Sequence, residues 1–137
     1  MSVSGSELLD LQAGLLAHLR GQVSLAVWLG APARIYDQPP AEVAYPYVSF
    51  GRVSAQSIGG VDAEVTEQAL NLMCVSRFDG SEEAKAMAAE LRVLLDGASL
   101  EVAGLVSLRV TYVDVFRSAD QRTTYALVRV RAVTEGG

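Results

Sequence analysis

Of the side chains most used in catalysis near neutral pH, the chain carries one histidine and one cysteine. His18 lies beside a leucine stripe and has no nucleophile or carboxylate spaced to work with it, so it reads as a partly exposed helix residue. Cys74 sits between Met73 and Val75 and reads as a small buried apolar residue. A reactive thiolate would want exposure and a cationic neighbour. Asp62, Glu64 and Glu67 cluster at one hairpin tip but lack the ligand spacing of a calcium loop, and they read as a solvated acidic tip. Gly59-Gly60 leads neither to Lys-Ser/Thr nor to a helix, and Gly80 has Asp79 beside it, which would repel phosphate. No catalytic, cofactor or metal site is expected.

The outward residues of the strands say more. Arg129 and Arg131 stand two apart on the last strand, near Tyr125, and Tyr36, Tyr45 and Tyr47 bracket a proline loop. Tyrosine and arginine are favoured at interface hot spots because they bury area while keeping a polar handle. Together they favour assembly with other proteins over catalysis.

The elements that carry these residues follow from periodicity. Ser6 opens a helix with Leu8, Leu11, Leu15 and Leu19 as its apolar stripe, and Gly21 ends it. Val23 to Leu29 is a second short segment, helical or extended, and Ala33 to Asp37 is a short strand closed by Pro39-Pro40. Tyr47 to Ser57 is a strand with Val48 and Phe50 on one face and Val53 and Ala55 on the other. Glu64 to Arg77 is the next, with Leu70, Leu72 and Cys74 on one face; its polar first half predicts an arm projecting beyond the core.

At its end the turn Phe78-Asp79-Gly80-Ser81 leads into a helix, with Asp79 or Ser81 expected to cap it by side chain. Ala84, Met87, Ala88, Leu91, Leu94 and Leu95 form that helix's stripe, and Gly97 suits its left-handed end. In Leu105 to Arg117, strict alternation puts Val106, Leu108, Val110, Tyr112 and Phe116 on one face. In Thr123 to Thr134, Ala126, Val128, Val130 and Ala132 face inward, opposite Tyr125, Arg129 and Arg131. Long strands joined by short turns make hairpins, and the two amphipathic helices need an apolar sheet face. The fold class is α+β: a two-layer sandwich of a twisted, mostly antiparallel sheet with helices packed on one face.

The 137 residues, half of them hydrophobic, suit a single domain with a real core, residues 1–137. Charges interrupt every apolar run, so no membrane contact is expected, and the first residues lack the pattern of a signal peptide. A net charge of −5 with no basic block argues against tight binding along a nucleic-acid backbone.

Four stretches, in order, resemble the tail terminator (tail completion) proteins of long-tailed phages and gene transfer agents. They are the helix Glu7 to Leu19; Ile35-Tyr36-Asp37 with Pro39, then Tyr45-Pro46-Tyr47-Val48 and Gly51; Leu72 to Arg77 with the turn and Ser81 to Lys85; and Tyr125 to Ala132. The resemblance spans nearly the whole chain. Cys74-Val75-Ser76 departs from it, since the family more often has an aromatic residue before the serine.

The resemblance implies a structural protein, with no catalysis and no cofactor. Its copies would form a ring, typically a hexamer, on the head-proximal end of the tail tube of a virion or gene transfer agent particle assembled in the bacterial cytoplasm. The ring would stop tube polymerisation and meet the major tail tube protein and the head–tail connector or stopper, and DNA would pass through its lumen without specific binding. Asp62, Glu64 and Glu67 would lie at the lumen or at a subunit contact. The alternatives are a tail-tube subunit, a neck adaptor, or a small-ligand-binding α+β domain.

Overall fold

The structure, a computed structural model, describes residues 5–60 and 64–136. Helix α1, Gly5–Arg20, has Glu7 in its first turn and His18 and Arg20 in its last, the charge order the helix dipole favours. A 3₁₀ turn, Val23–Leu25, and α2, Ala26–Leu29, follow, so this segment is helical. Strand β1, Ile35–Tyr36, precedes β2, Tyr47–Ser57, and β3, Val65–Ser76. Helix α3, Glu82–Leu95, then leads to β4, Leu105–Arg117, and β5, Thr124–Glu135.

The five strands form one sheet in the order β1-β2-β3-β5-β4. Only β1 pairs in parallel, with β2; the other neighbours are antiparallel. The hairpins β2–β3 and β4–β5 meet along β3 and β5, and α3 is the crossover between them. Leu11, Leu15 and Leu19 of α1 and Met87, Leu91 and Leu95 of α3 join Leu70, Leu72, Val128 and Val130 of the sheet in one core. Each such side chain contributes about 1.5–3 kcal/mol by leaving water. His18 Nε2 lies 2.9 Å from the Leu94 carbonyl and ties the two helices. A Cβ on Gly14 would overlap the Val102 side chain, so the glycine lets α1 lie against the segment leading to β4.

Strict alternation holds along β3 and β5 and fails on β2 and β4. A bulge between Phe50 and Val53 shifts register, so Val48, Phe50, Val53 and Ala55 all share the helix side with Cys74, Leu72, Leu70 and Gln68. Two bulges on β4 have the same effect. At the first, between Leu105 and Ser107, Val106 is left exposed, and Leu108 beyond it is buried; after the second, between Val110 and Tyr112, Val113 and Val115 face the helices and Tyr112 and Phe116 face away.

Two further expectations are corrected. The polar first half of β3 does not project: Thr66 and Gln68 are buried, because the ladders with β2 and β5 run to its end. Ser81 holds the N-cap position of α3 without a side-chain bond. Instead, Ser76 Oγ donates to Glu83 Oε1 at 2.7 Å and accepts from the Phe78 amide at 3.1 Å, fastening the end of β3 to the first turn of α3.

Candidate assembly surface

With both long helices on one side, the other face of the sheet is left open among the described residues. Register pairs show its layout, because directly paired residues share a face. One end carries the row Tyr47, Val75, Tyr125, Phe116 across β2, β3, β5 and β4. The next row is Ser49, Met73, Leu127, Asp114. Asn71, Arg129 and Tyr112 follow, then Ala69, Arg131 and Arg109. The face is aromatic at one end and charged towards the other.

The aromatic end holds two sets of packed rings with Val75 between them. Tyr47 tilts against Tyr45 at 5.4 Å and against Tyr36 at 6.1 Å between ring centroids. The Arg77 guanidinium lies 4.4 Å from the centre of the Tyr45 ring. Phe116 stacks on Tyr125 at 5.3 Å. Partial burial, followed by the neighbouring phenols of Tyr45 and Tyr125, raises the pKa of Tyr47, with Arg77 opposing. Arg34 holds the proline loop in place by donating to the Pro46 carbonyl at 3.0 Å and the Trp28 carbonyl at 2.8 Å.

The charged end is internally matched. Arg131 meets Glu67 through Nε at 2.6 Å and through its second guanidinium nitrogen at 2.5 Å. Arg109, opposite Arg131, is held by Asp96 at 3.0 Å, so the facing arginines have separate counter-ions. Arg129 donates to Asn71 Oδ1 at 3.1 Å and lies 5.2 Å from the Tyr112 ring centre.

Of the residues marked by sequence, Tyr36, Tyr45, Tyr47 and Tyr125 come together at one end, and Glu67, Arg129 and Arg131 lie further along the same face. Glu64 stands apart, beyond the end of β3, where its carbonyl accepts the Gly136 amide at 2.7 Å. Asp62 lies outside the described residues. Sequence periodicity missed Tyr112 and Phe116, assigning both to the core face. Asp114 between them was the available signal, since a carboxylate of that parity in mid-strand marks the face turned to water.

The remaining chemical candidates are structural. Cys74 is fully buried, and that burial pushes its thiol up to about 12. His18 serves the helix contact.

The profile of a protein family, described as tail completion protein gp17, matches residues 13–135. The chain belongs to the tail completion family. The family is structural, a component of phage tails. A solved chain from the virion of a native gene transfer agent particle is 26% identical, with a TM-score of 0.87, covering 97% of this chain and 100% of that one. A second solved chain, 18% identical with a TM-score of 0.50 over 95% of this chain and 96% of that one, shares the fold. No curated protein matches the sequence. Across the residues matched to the tail completion family run both hairpins, α3 and nearly all of the open face.

Proposed function

We propose that this tail completion protein closes into a ring on the head-proximal end of a phage-like tail tube, stops the tube from growing, and offers the surface on which the head connector docks. By resemblance the ring has six copies, and its place is the tail of a virion or gene transfer agent particle. The open sheet face, with its two unlike margins, carries the proposal.

At one margin β1 covers β2 only at Val48 and Ser49, leaving the edge from Gly51 to Ser57 without a strand neighbour among the described residues. At the other margin β4 is the edge strand. There the Asp96 side chain accepts the Val110 amide at 3.0 Å and the Gly97 amide donates to the Leu108 carbonyl at 2.7 Å, so cover ends short of Tyr112 to Arg117. Two different edges on one subunit suit a head-to-tail contact, and such contacts close into rings when the rotation allows. The aromatic row supplies the wide, low-entropy contact area an interface core needs.

Tyr36, Tyr45, Tyr47, Tyr125, Arg129 and Arg131 are proposed as contact residues, with Asp62, Glu64 and Glu67 at a subunit contact or the lumen. Catalysis has no part in the proposal. Charge reversal at Asp62, Glu64 and Glu67 together impairs assembly or DNA passage if that placement is right.

The deciding experiment is electron microscopy of particles from a strain lacking this gene. Abnormally long tails without heads are expected. Tails of normal length on intact heads would overturn the proposal in favour of a neck adaptor, and absent tails would make the chain a tube subunit.

A further inference from the structure

At the end of the sheet away from the aromatic cluster, on the helix side, lies a cavity of about 410 Å³. Gln68 of β3 lines it and is fully buried, yet neither Oε1 nor Nε2 has a hydrogen-bond partner among the described residues. Burying a carboxamide costs free energy unless new hydrogen bonds replace those to water. Beside it, Glu7 from the first turn of α1 has one buried oxygen, Oε2, that is also without a partner among the described residues. Asp10 and Glu135 add two more carboxylates to the lining, and Val102 and Gly104 form part of the wall. The wall is fixed backbone: Gly104 has φ +74, and a Cβ there would collide with the Glu135 carbonyl oxygen.

The carboxylates and the buried acceptors of the lining select the same ligand chemistry. Three carboxylates exclude an anion and attract a cation. Two buried, unpartnered acceptors, Glu7 Oε2 and Gln68 Oε1, on residues of the lining call for a ligand with several N–H groups rather than a bare charge. A guanidinium offers five donors in one plane and can bridge a carboxylate and an amide oxygen at once. A water entering with it can accept from Gln68 Nε2. We propose that this cavity, lined by Glu7, Asp10, Gln68 and Glu135, is a socket for an alkylguanidinium-type cation. The source is either an arginine side chain of a second copy of this chain or a free small molecule of that class. The socket is built within one subunit and does not depend on the ring.

The test follows the Gln68 side-chain amide by NMR in the full chain, its signals assigned by their loss in Gln68→Met. Ethylguanidinium chloride is titrated against tetramethylammonium chloride, a cation with no N–H. A saturable shift with ethylguanidinium alone is expected, weakened roughly tenfold or more in Glu7→Gln, as loss of a charge-assisted hydrogen bond requires. Gln68→Met, with the rest of its spectrum retained, is expected to abolish saturation of the remaining cavity amides. Equal, unsaturating shifts with both salts would overturn the proposal and leave the cavity holding water only. Assembled protein separates the sources: refusal of the probe on assembly identifies a neighbour's arginine, and continued uptake identifies a free cation.

Discussion

The two faces of this sheet are built from the same strands and obey different rules. On the helix side, β5 presents Ala126, Val128, Val130 and Ala132, all at 0% exposure, and the helices seal them with leucine and methionine. On the open side the same strand presents Tyr125, Arg129 and Arg131, each engaged with a neighbour on β3 or β4 while keeping surface available. A core side chain is satisfied by volume, so aliphatic residues suffice. A face awaiting a partner must stay soluble until it is covered, which favours rings with a polar handle and charges with local counter-ions. The first face therefore carries stability, the second is the one proposed for assembly, and substitutions can hold those roles apart.

Leu72→Ala is the largest expected effect. It removes a fully buried side chain between β2 and β5 under the helices, and should lower unfolding free energy by about 2–5 kcal/mol in chemical denaturation. A loss as small as that of an exposed leucine would mean the covered face is not sealed.

Cys74 probes the same seal through its proton. Its thiol is raised from 9.0 to about 12 by burial, so the folded chain holds the proton more tightly than the unfolded one. Stability from this group is therefore intact below pH 9 and falls as pH climbs from 9 towards 12. Denaturation midpoints across that window should fall less steeply in Cys74→Val than in the parent. At neutral pH a thiol reagent should modify Cys74 only on unfolding, whereas Ser54→Cys in the Cys74→Val chain, exposed on the open face, should react at once.

Phe116→Ala reverses the balance. Phe116 is 41% exposed and stacks on Tyr125, so the free chain should lose about 0.5–1.5 kcal/mol. Oligomer formation, read by sedimentation or native mass spectrometry, should fall far more. A variant that assembles normally would remove the aromatic row from the interface.

What the sequence disclosed follows the same division. β3 and β5 lie in the middle of the sheet, paired on both sides, and their alternation was readable residue by residue. β2 and β4 each have a margin; the bulge on β2 and the second of the two on β4 inverted the assignments beyond them. Tyr112 and Phe116 were lost to the core for that reason, and Val53 and Ala55 were set on the face opposite Val48 and Phe50. Both helices, their stripes and the left-handed Gly97, with φ 77, were legible because they depend on neighbours along the chain. The pairing of Glu67 with Arg131 and the isolation of Gln68 were not, since both need the register of β3 against β5 and the cover from α1 and the residues before β4.

The Glu67–Arg131 pair gives the smallest effect and the finest division between the faces. Its side chains are 26% and 40% exposed, a level at which ion pairs contribute only about 0.2–1 kcal/mol. A double-mutant cycle with Glu67→Gln and Arg131→Met should give a coupling of that order in the free chain, shrinking as salt is added. If assembly covers this end of the open face, water is withdrawn from both groups, and removing one partner leaves the other buried and unmatched. Each single variant should then weaken assembly more than the double variant does, because only the singles leave a lone charge in the contact. Equal losses for all three would keep the pair in water after assembly, and would confine the contact to the aromatic end.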